Sequence, residues 1–212
     1  MKILFFGDII GRPGREGLAK IIPVLRKKYN PDVVGANVEN LKHGRGISKE
    51  TLDEITEAGV DFFTSGNHVW EGEEAKELLE KKNLPLVRPA NYPPGAPGKG
   101  FYFVRAGTKK LLIINLMGRV FMKDQIDCPF RKADEILGGV EDGDADAIFV
   151  DFHAETTSEK RVLGFYLDGR ISAMAGTHTH VPTADEQILP KGTGYITDAG
   201  MCGPYNSSIG VD

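Results

Sequence analysis

The stretch ILFFGD, residues 3–8, is four apolar residues that run straight into a glycine and a carboxylate. An apolar run this short, closed by a turn residue, reads as a strand buried on both faces, the habit of strands in parallel sheets. The pattern recurs twice downstream. DVVGANVEN, residues 32–40, reads as a second short strand ending in Glu39 and Asn40, and DFFTSGNH, residues 61–68, as a third ending in Asn67 and His68. Helical spacing fills the gaps between them. After a loop IIGRPGR, residues 9–15, Leu18, Ile21, Ile22 and Leu25 mark a first helix whose last turn carries Arg26, Lys27 and Lys28, where cations suit the helix dipole. Pro23 inside that pattern implies a kink or a helix built as two pieces. Ser48 is placed to cap a second helix whose Leu52 and Ile55 share a face, and Gly59 to stop it. The order is therefore βαβαβ, and the expected fold is α/β with a mostly parallel sheet, helices outside it, and any active site at the carboxyl ends of the strands.

From Leu84 to Gly100 the chain is dense in proline and glycine, which marks a long structured loop or a seam between two halves. Six strand candidates follow: FYFVRA (101–106), LLIINLMG (111–118), DAIFVDFH (146–153), VLGFYLDG (162–169), ISAMAGTH (171–178) and GYITDAG (194–200). One helix is expected among them, around Arg131 to Leu137. Two sheets packed face to face with helices outside accommodate this inventory.

At 212 residues, against a typical domain of about 150, the chain reads as one domain. A formal net charge of -4 supplies no broad basic field, so duplex nucleic acid is a disfavoured partner. The apolar run at the N-terminus is too short for a signal-peptide core or a membrane span, and the expected location is the cytoplasm, with no membrane partner. Cys128 and Cys202 are far apart and form no Cys-x-x-Cys pair, so any metal must be held by His, Asp, Glu or Asn.

Those residue types gather at the strand ends: Asp8, Glu39 and Asn40, Asn67 and His68, His153, and finally His178 and His180 in GTHTHVP, residues 176–182. If this last segment is a strand end, alternation points both imidazoles to one side. Each residue has an ordinary alternative, Asp8 as a helix cap, Glu39 and Asn40 as turn residues, His153 as a core histidine. One metal site explains all of them together. The mixture of carboxylate, imidazole and amide suits iron, manganese or zinc better than calcium or magnesium, and a ligand set this large suits two ions sharing a carboxylate. Two ions about 3.5 to 4 Å apart polarise a phosphoryl group and turn a bridging water into a hydroxide for in-line attack.

At this point the motifs carry a resemblance. GD at Asp8, GNH at Asn67 and His68, His153 and GTHTH resemble the signature of the calcineurin-like metallophosphoesterases. GDIIGRPGR, NVEN, TSGNHVW, RPANYP, GRVFM and TDAGMCGPYNSSIG are similar, across much of the chain, to its YmdB-like bacterial branch. The resemblance implies a four-layer α/β/β/α sandwich, two divalent or mixed-valence ions, iron or manganese, and hydrolysis of 2′,3′-cyclic nucleotides such as 2′,3′-cAMP and of model phosphodiesters. It assigns Asp8, Asn40 and His180 to one metal and Asn67, His153 and His178 to the other, with Glu39 bridging and Asn40 also meeting the substrate. His68 is left as the general acid that protonates the leaving oxygen, a role suited to imidazole. The chain departs from the wider superfamily at Ile10, where a histidine is usual, and in NVEN, which replaces Gly-Asp-x-x-Asp/Asn; both departures match the YmdB-like branch. The expectation is a single domain over residues 1–212; members of that branch usually continue past SSIG, which leaves open whether C-terminal residues are lacking.

Three residues outside this set draw attention: Arg12 and Arg15, near Asp8, as phosphate contacts or solvated side chains, and His43, as a pocket residue or a solvated loop residue. Asn91 and Tyr92, in the proline-rich loop, are candidates to border the pocket. The competing function is a regulator that senses a cyclic nucleotide with the same metal pocket and no turnover. A Rossmann-like reading of GDIIGRPG fails, because Gly7, Gly11 and Gly14 do not fit G-x-G-x-x-G. Oligomeric state is left open, a homo-oligomer included.

Overall fold

The computed structural model describes residues 1–210; the chain end at Asp212 lies outside them. The first half runs β1 (Ile3–Phe6), β2 (Asp8–Ile9), α1 (Gly11–Tyr29), β3 (Val33–Asn37), α2 (Lys49–Glu57), β4 (Phe62–Thr64) and α3 (Ala75–Glu80). The second half runs β5 (Phe101–Ala106), β6 (Lys109–Met117), α4 (Pro129–Gly138), β7 (Ala147–His153), α5 (Thr157–Leu167), β8 (Ala173–Thr177), β9 (Gln187–Ile188), β10 (Gly194–Ile196) and β11 (Met201–Cys202). The fold is mixed α/β. β1, β3 and β4 form a parallel sheet with β3 at its centre, as the three opening runs imply. A larger sheet has the order β5-β6-β7-β8-β10-β9, parallel from β6 to β10 with antiparallel strands at both edges. β2 and β11 pair as a separate parallel ladder that sets Asp8 opposite Met201.

Alternation along the buried strands divides the core. Val34 and Ala36 of β3 pack with Leu18 and Ile22 of α1 and with Leu52 and Ile55 of α2. Leu112 and Ile114 of β6 pack with Ala133 and Ile136 of α4 and with Leu163 and Leu167 of α5. The opposite faces of both sheets, Val33 and Phe62 on one and Leu111, Ile113 and Phe149 on the other, form a third cluster. Within it the Phe5 and Phe149 rings lie 4.8 Å apart at 53°, and Phe62 meets Phe149 edge-on at 6.2 Å, geometries that aromatic quadrupoles favour. No helix among the described residues is long and apolar enough to cross a membrane.

Several expectations need correction. α1 begins at Gly11, so most of the segment expected as a loop is its first turn. It runs unbroken past Pro23, because that proline and Ala19 both lie on the exposed side, where water can satisfy the carbonyl that loses its partner. Ile21 is 40% exposed, so its buried stripe is narrower than the spacing implied. VLGFYLDG is not a strand but the end of α5: Thr156 caps the helix through Glu159 N–H, and Lys160, Leu163, Gly164 and Leu167 are buried at helical spacing. The β-forming Val162, Phe165 and Tyr166 that suggested a strand sit on its outer face. The other five candidates are β5, β6, β7, β8 and β10, and the expected helix is α4. α3 and the short β2, β9 and β11 left no legible pattern. The proline-rich segment is the seam: Leu86 bridges to Phe63, Val87 to Lys99, and Ala90 N–H donates to Asn115 C=O on β6.

Phe62 is fully buried between the sheets. Phe62→Ala is expected to lower unfolding free energy by about 3–5 kcal/mol in chemical denaturation; a loss below about 1 kcal/mol would mean that the two sheets do not depend on this contact.

Candidate metal centre

Strands of both sheets deliver polar side chains to one edge. Asp8 lies on β2, Glu39 and Asn40 just past β3, Asn67 and His68 past β4, His153 at the end of β7, and His178 and His180 past β8. Asp8, Glu39, Asn40 and His153 are all buried. Two adjoining groups result. In the first, His180 Nε2 is 3.6 Å from Asp8 Oδ1 and 3.5 Å from the Asn40 amide, which is 3.3 Å from Asp8. In the second, His153 Nε2 is 3.0 Å from Asn67 Oδ1 and 3.1 Å from His178 Nδ1. Glu39 stands between them, with Oε1 3.1 Å from His153 Nε2 and 3.5 Å from the Asn40 amide. The seven residues thus lie in two adjoining groups with Glu39 between them, Asn40 turning its Nδ2 to its neighbours.

The donor chemistry fits cations. Around His153 Nε2 gather a carboxylate oxygen, an amide oxygen and an imidazole nitrogen, three lone pairs where one N–H can serve one well. Glu39, His153 and His178 offer ligand atoms all within 4.8 Å of one another. Gly66 keeps the space open: a Cβ there would lie 2.2 Å from His153 Nε2 and 2.5 Å from Glu39 Oε2.

Electrostatics point the same way. Burial works against ionisation of Asp8, yet His180, His153 and the His178 N–H hold its carboxyl down at about 2. Burial likewise opposes a charged Glu39, and His153 outweighs it, so its carboxyl is also lowered. Burial opposes protonation of His153 too, but Glu39 pushes its imidazole up to about 9. His178 goes the other way: burial and the neighbouring His153 cation push it down to about 3, leaving a neutral imidazole of the kind that ligates metals.

The histidine pair is not positioned by strand alternation. β8 ends at Thr177, and His178 and His180 take left-handed backbone angles of φ 96° and 65°, which non-glycine residues adopt only when their surroundings over-determine them. The surroundings do so here. His178 N–H donates to Asp8 Oδ2 at 3.0 Å, and His180 C=O accepts from Met201 N–H. Between them Thr179 Oγ1 donates to Asp198 Oδ2 at 2.7 Å, and that carboxylate is paired with Lys160 Nζ at 2.5 Å, both residues wholly buried. The two imidazoles therefore reach different groups, His178 beside His153 and His180 beside Asp8.

Sequence reasoning missed this support. Asp151 and Thr177 stand behind His153: the imidazole Nδ1–H donates to Thr177 Oγ1 at 2.9 Å, and that hydroxyl donates to Asp151 Oδ1 at 2.7 Å. The relay fixes the tautomer and leaves Nε2 for the ligand side. A carboxylate inside the buried run AIFVDFH, two residues before His153 and so on its face, was the available sign. Glu71, three residues after His68, accepts from His68 Nδ1 at 2.7 Å. Two of the remaining candidates face away: Arg12 pairs with Glu16, and Arg15 with Glu54 and Leu41 C=O. Asn91 is structural, tying Met117 to Asp127 C=O, and Tyr92 packs on Trp70 at 5.1 Å. His43 is an exposed loop residue on the rim of the cleft over Asn40, His68 and His180.

Comparison with known proteins shows the family. The family model described as YmdB-like protein matches residues 4–212. A 2′,3′-cyclic-nucleotide 2′-phosphodiesterase of Bacillus subtilis is 49% identical over 213 residues, covering 100% of this chain and 79% of that protein. The crystal structure of a hypothetical protein from Thermus thermophilus superposes with a TM-score of 0.92 at 48% identity, over 99% of this chain and 80% of that one. That of a novel phosphatase from Mycoplasma pneumoniae gives 0.92 at 39% identity, over 99% and 75%.

Two outcomes are expected. Gly66→Ala pushes His153 and Glu39 apart and abolishes ion retention in elemental analysis while the protein stays folded; full ion content in that variant would show that Gly66 does not guard the site. Ion binding near neutral pH displaces the His153 proton, so calorimetry in buffers of different ionisation enthalpy should read proton release that fades as pH rises through about 9.

Proposed function

The chain belongs to the YmdB-like family, and from that premise we propose that it hydrolyses 2′,3′-cyclic nucleotides, 2′,3′-cAMP among them, at a centre of two iron or manganese ions. It is a hydrolase of phosphoric ester bonds, as its named relatives are. The observation that carries the finer reading is the pair of ligand groups sharing Glu39, with His68 beside them. Asp8, Asn40 and His180 would hold one ion and Asn67, His153 and His178 the other; carboxylate, imidazole and amide together suit borderline first-row ions. When bound, the ions supply Lewis acidity toward the phosphoryl oxygens and an activated water.

The chain's own residues do the rest. His68 N–H donates to Glu39 Oε2 at 2.8 Å, which holds the residue at the edge of the site through its backbone. Its ring lines the cleft with Asn40 and His180 and is steadied at Nδ1 by Glu71. Nε2 faces no protein partner among the described residues, and in this reading it gives a proton to the leaving ribose oxygen as the P–O bond breaks. Asn40 reaches the same cleft and contributes an amide to the substrate. The three packed clusters support reading the fold as a four-layer α/β/β/α sandwich, and the chain as one metallophosphoesterase domain.

The test is His68→Ala with 2′,3′-cAMP, elemental analysis run on the same samples. Because the contact to Glu39 comes from the backbone, ion content should be unchanged while kcat falls by roughly 10²–10⁴-fold. Unchanged turnover would remove His68 from the chemistry; no turnover in the ion-loaded parent, with the nucleotide still bound, would favour a sensor instead.

A further inference from the structure

The cleft of about 530 Å³ that opens over Asn40, His68 and His180 does not end there; it continues along Lys42, His43 and Arg45. That loop is built to a fixed shape. Lys42 N–H donates to Gly46 C=O and Arg45 N–H to Lys42 C=O, both at 2.9 Å. His43 takes a left-handed φ of 51°, a conformation that costs free energy at a non-glycine residue and clusters at functional sites. Lys42 and Arg45 have no carboxylate partner among the described residues, whereas Arg12 and Arg15 nearby are both paired. Glu71, the acidic residue on the cleft, is engaged by His68.

A second feature faces the same space. Ile10, at the start of α1, lines the cleft; the helix has no side-chain cap there and no acidic residue in its first turn. That helix end adds little to an anion site, since Gly11 N–H already donates to Asn40 C=O, Gly14 N–H to Ile10 C=O, and Pro13 has no N–H. One wall of the cleft is positive in a protein whose formal net charge is -4.

We propose that this wall is a second anion subsite, and that it takes a phosphate on the 5′ side of the nucleoside whose 2′,3′-phosphate lies at the ligand cluster. The inference rests on the reading of that cluster as the phosphodiesterase centre. Lys42 and Arg45 line one cleft of about 530 Å³ with Asn40, His68 and His180, room for a ligand the size of one nucleotide to reach both ends. The shared chemistry is the second phosphate; it can belong to a 5′-phosphorylated mononucleotide or to the last linkage of an oligoribonucleotide.

Titration calorimetry on the ion-loaded protein tests this with adenosine 3′-monophosphate, adenosine 3′,5′-bisphosphate and a 3′-phosphorylated adenosine dinucleotide. Binding is expected to be about tenfold tighter for at least one of the two ligands with the additional phosphate, and Lys42→Gln/Arg45→Gln should erase most of that gain. A gain for the bisphosphate alone identifies a mononucleotide subsite; a gain for the dinucleotide alone identifies an RNA end. Equal affinity for all three ligands, or a gain that survives in the double variant, overturns the proposal. Since the readout is binding, a protein that shows the gain but does not hydrolyse 2′,3′-cAMP would refute the phosphodiesterase reading and leave the subsite standing.

Discussion

Asp151 is a fully buried carboxylate at the junction of the two sheets, and the rest of the site depends on how it is satisfied. Burial pushes its carboxyl up to about 6, against His153, Thr64, Thr177 and Asn37. It accepts from Asn37 Nδ2 at 3.0 Å and from Thr64 Oγ1, on the smaller sheet, and from Thr177 Oγ1 on the larger. Ser65 N–H donates to Asn115 Oδ1 at 3.0 Å and adds a second stitch between the sheets. An unsatisfied buried carboxylate is costly enough that the two sheets are held to one register at their carboxyl ends. Hydrophobic packing of Phe5, Phe62 and Phe149 is non-directional and brings the sheets together; the polar network decides how they align.

Alignment matters because the candidate ligands are divided between the sheets. Glu39, Asn40 and Asn67 follow strands of the smaller sheet, His153, His178 and His180 end or follow strands of the larger, and Asp8 belongs to the ladder with β11. A slip of one residue along either sheet would turn ligand side chains to the opposite face. The buried Lys160 and Asp198 pair does the equivalent task for the loop after β8, where it holds Thr179 and with it two left-handed histidines. Buried ion pairs contribute little net stability but leave a large penalty when broken. That asymmetry suits a device that fixes a strained conformation.

Much of the site was legible before any fold was known. The apolar runs at residues 3–6, 33–37 and 62–64 are too short for helices, and each ends in polar residues, so a parallel sheet with its ligands at one edge followed from periodicity and the rule for carboxyl ends. The failures were also physical. In VLGFYLDG the β-forming residues lie on the outer face of α5, where packing does not select them, while the helical face is marked by Lys160 and Gly164, residues that no hydrophobic pattern counts. The short β2 and β11 exist only because each meets a partner from the other end of the chain, and β9 is two residues of a hairpin with β10.

The sequence by itself determined which residues would meet: Asp8, Glu39, Asn40, Asn67, His153, His178 and His180 stand at or just past the ends of apolar runs, a property of local pattern. Tertiary structure alone decided how they are held. Thr177 and Asp151 behind His153, Glu71 beside His68, Gly66 under Glu39, and Lys160 across from Asp198 act through contacts between segments distant in the chain or through the turns that pack them. Such contacts depend on the register between two sheets, and no periodicity within either sheet encodes it.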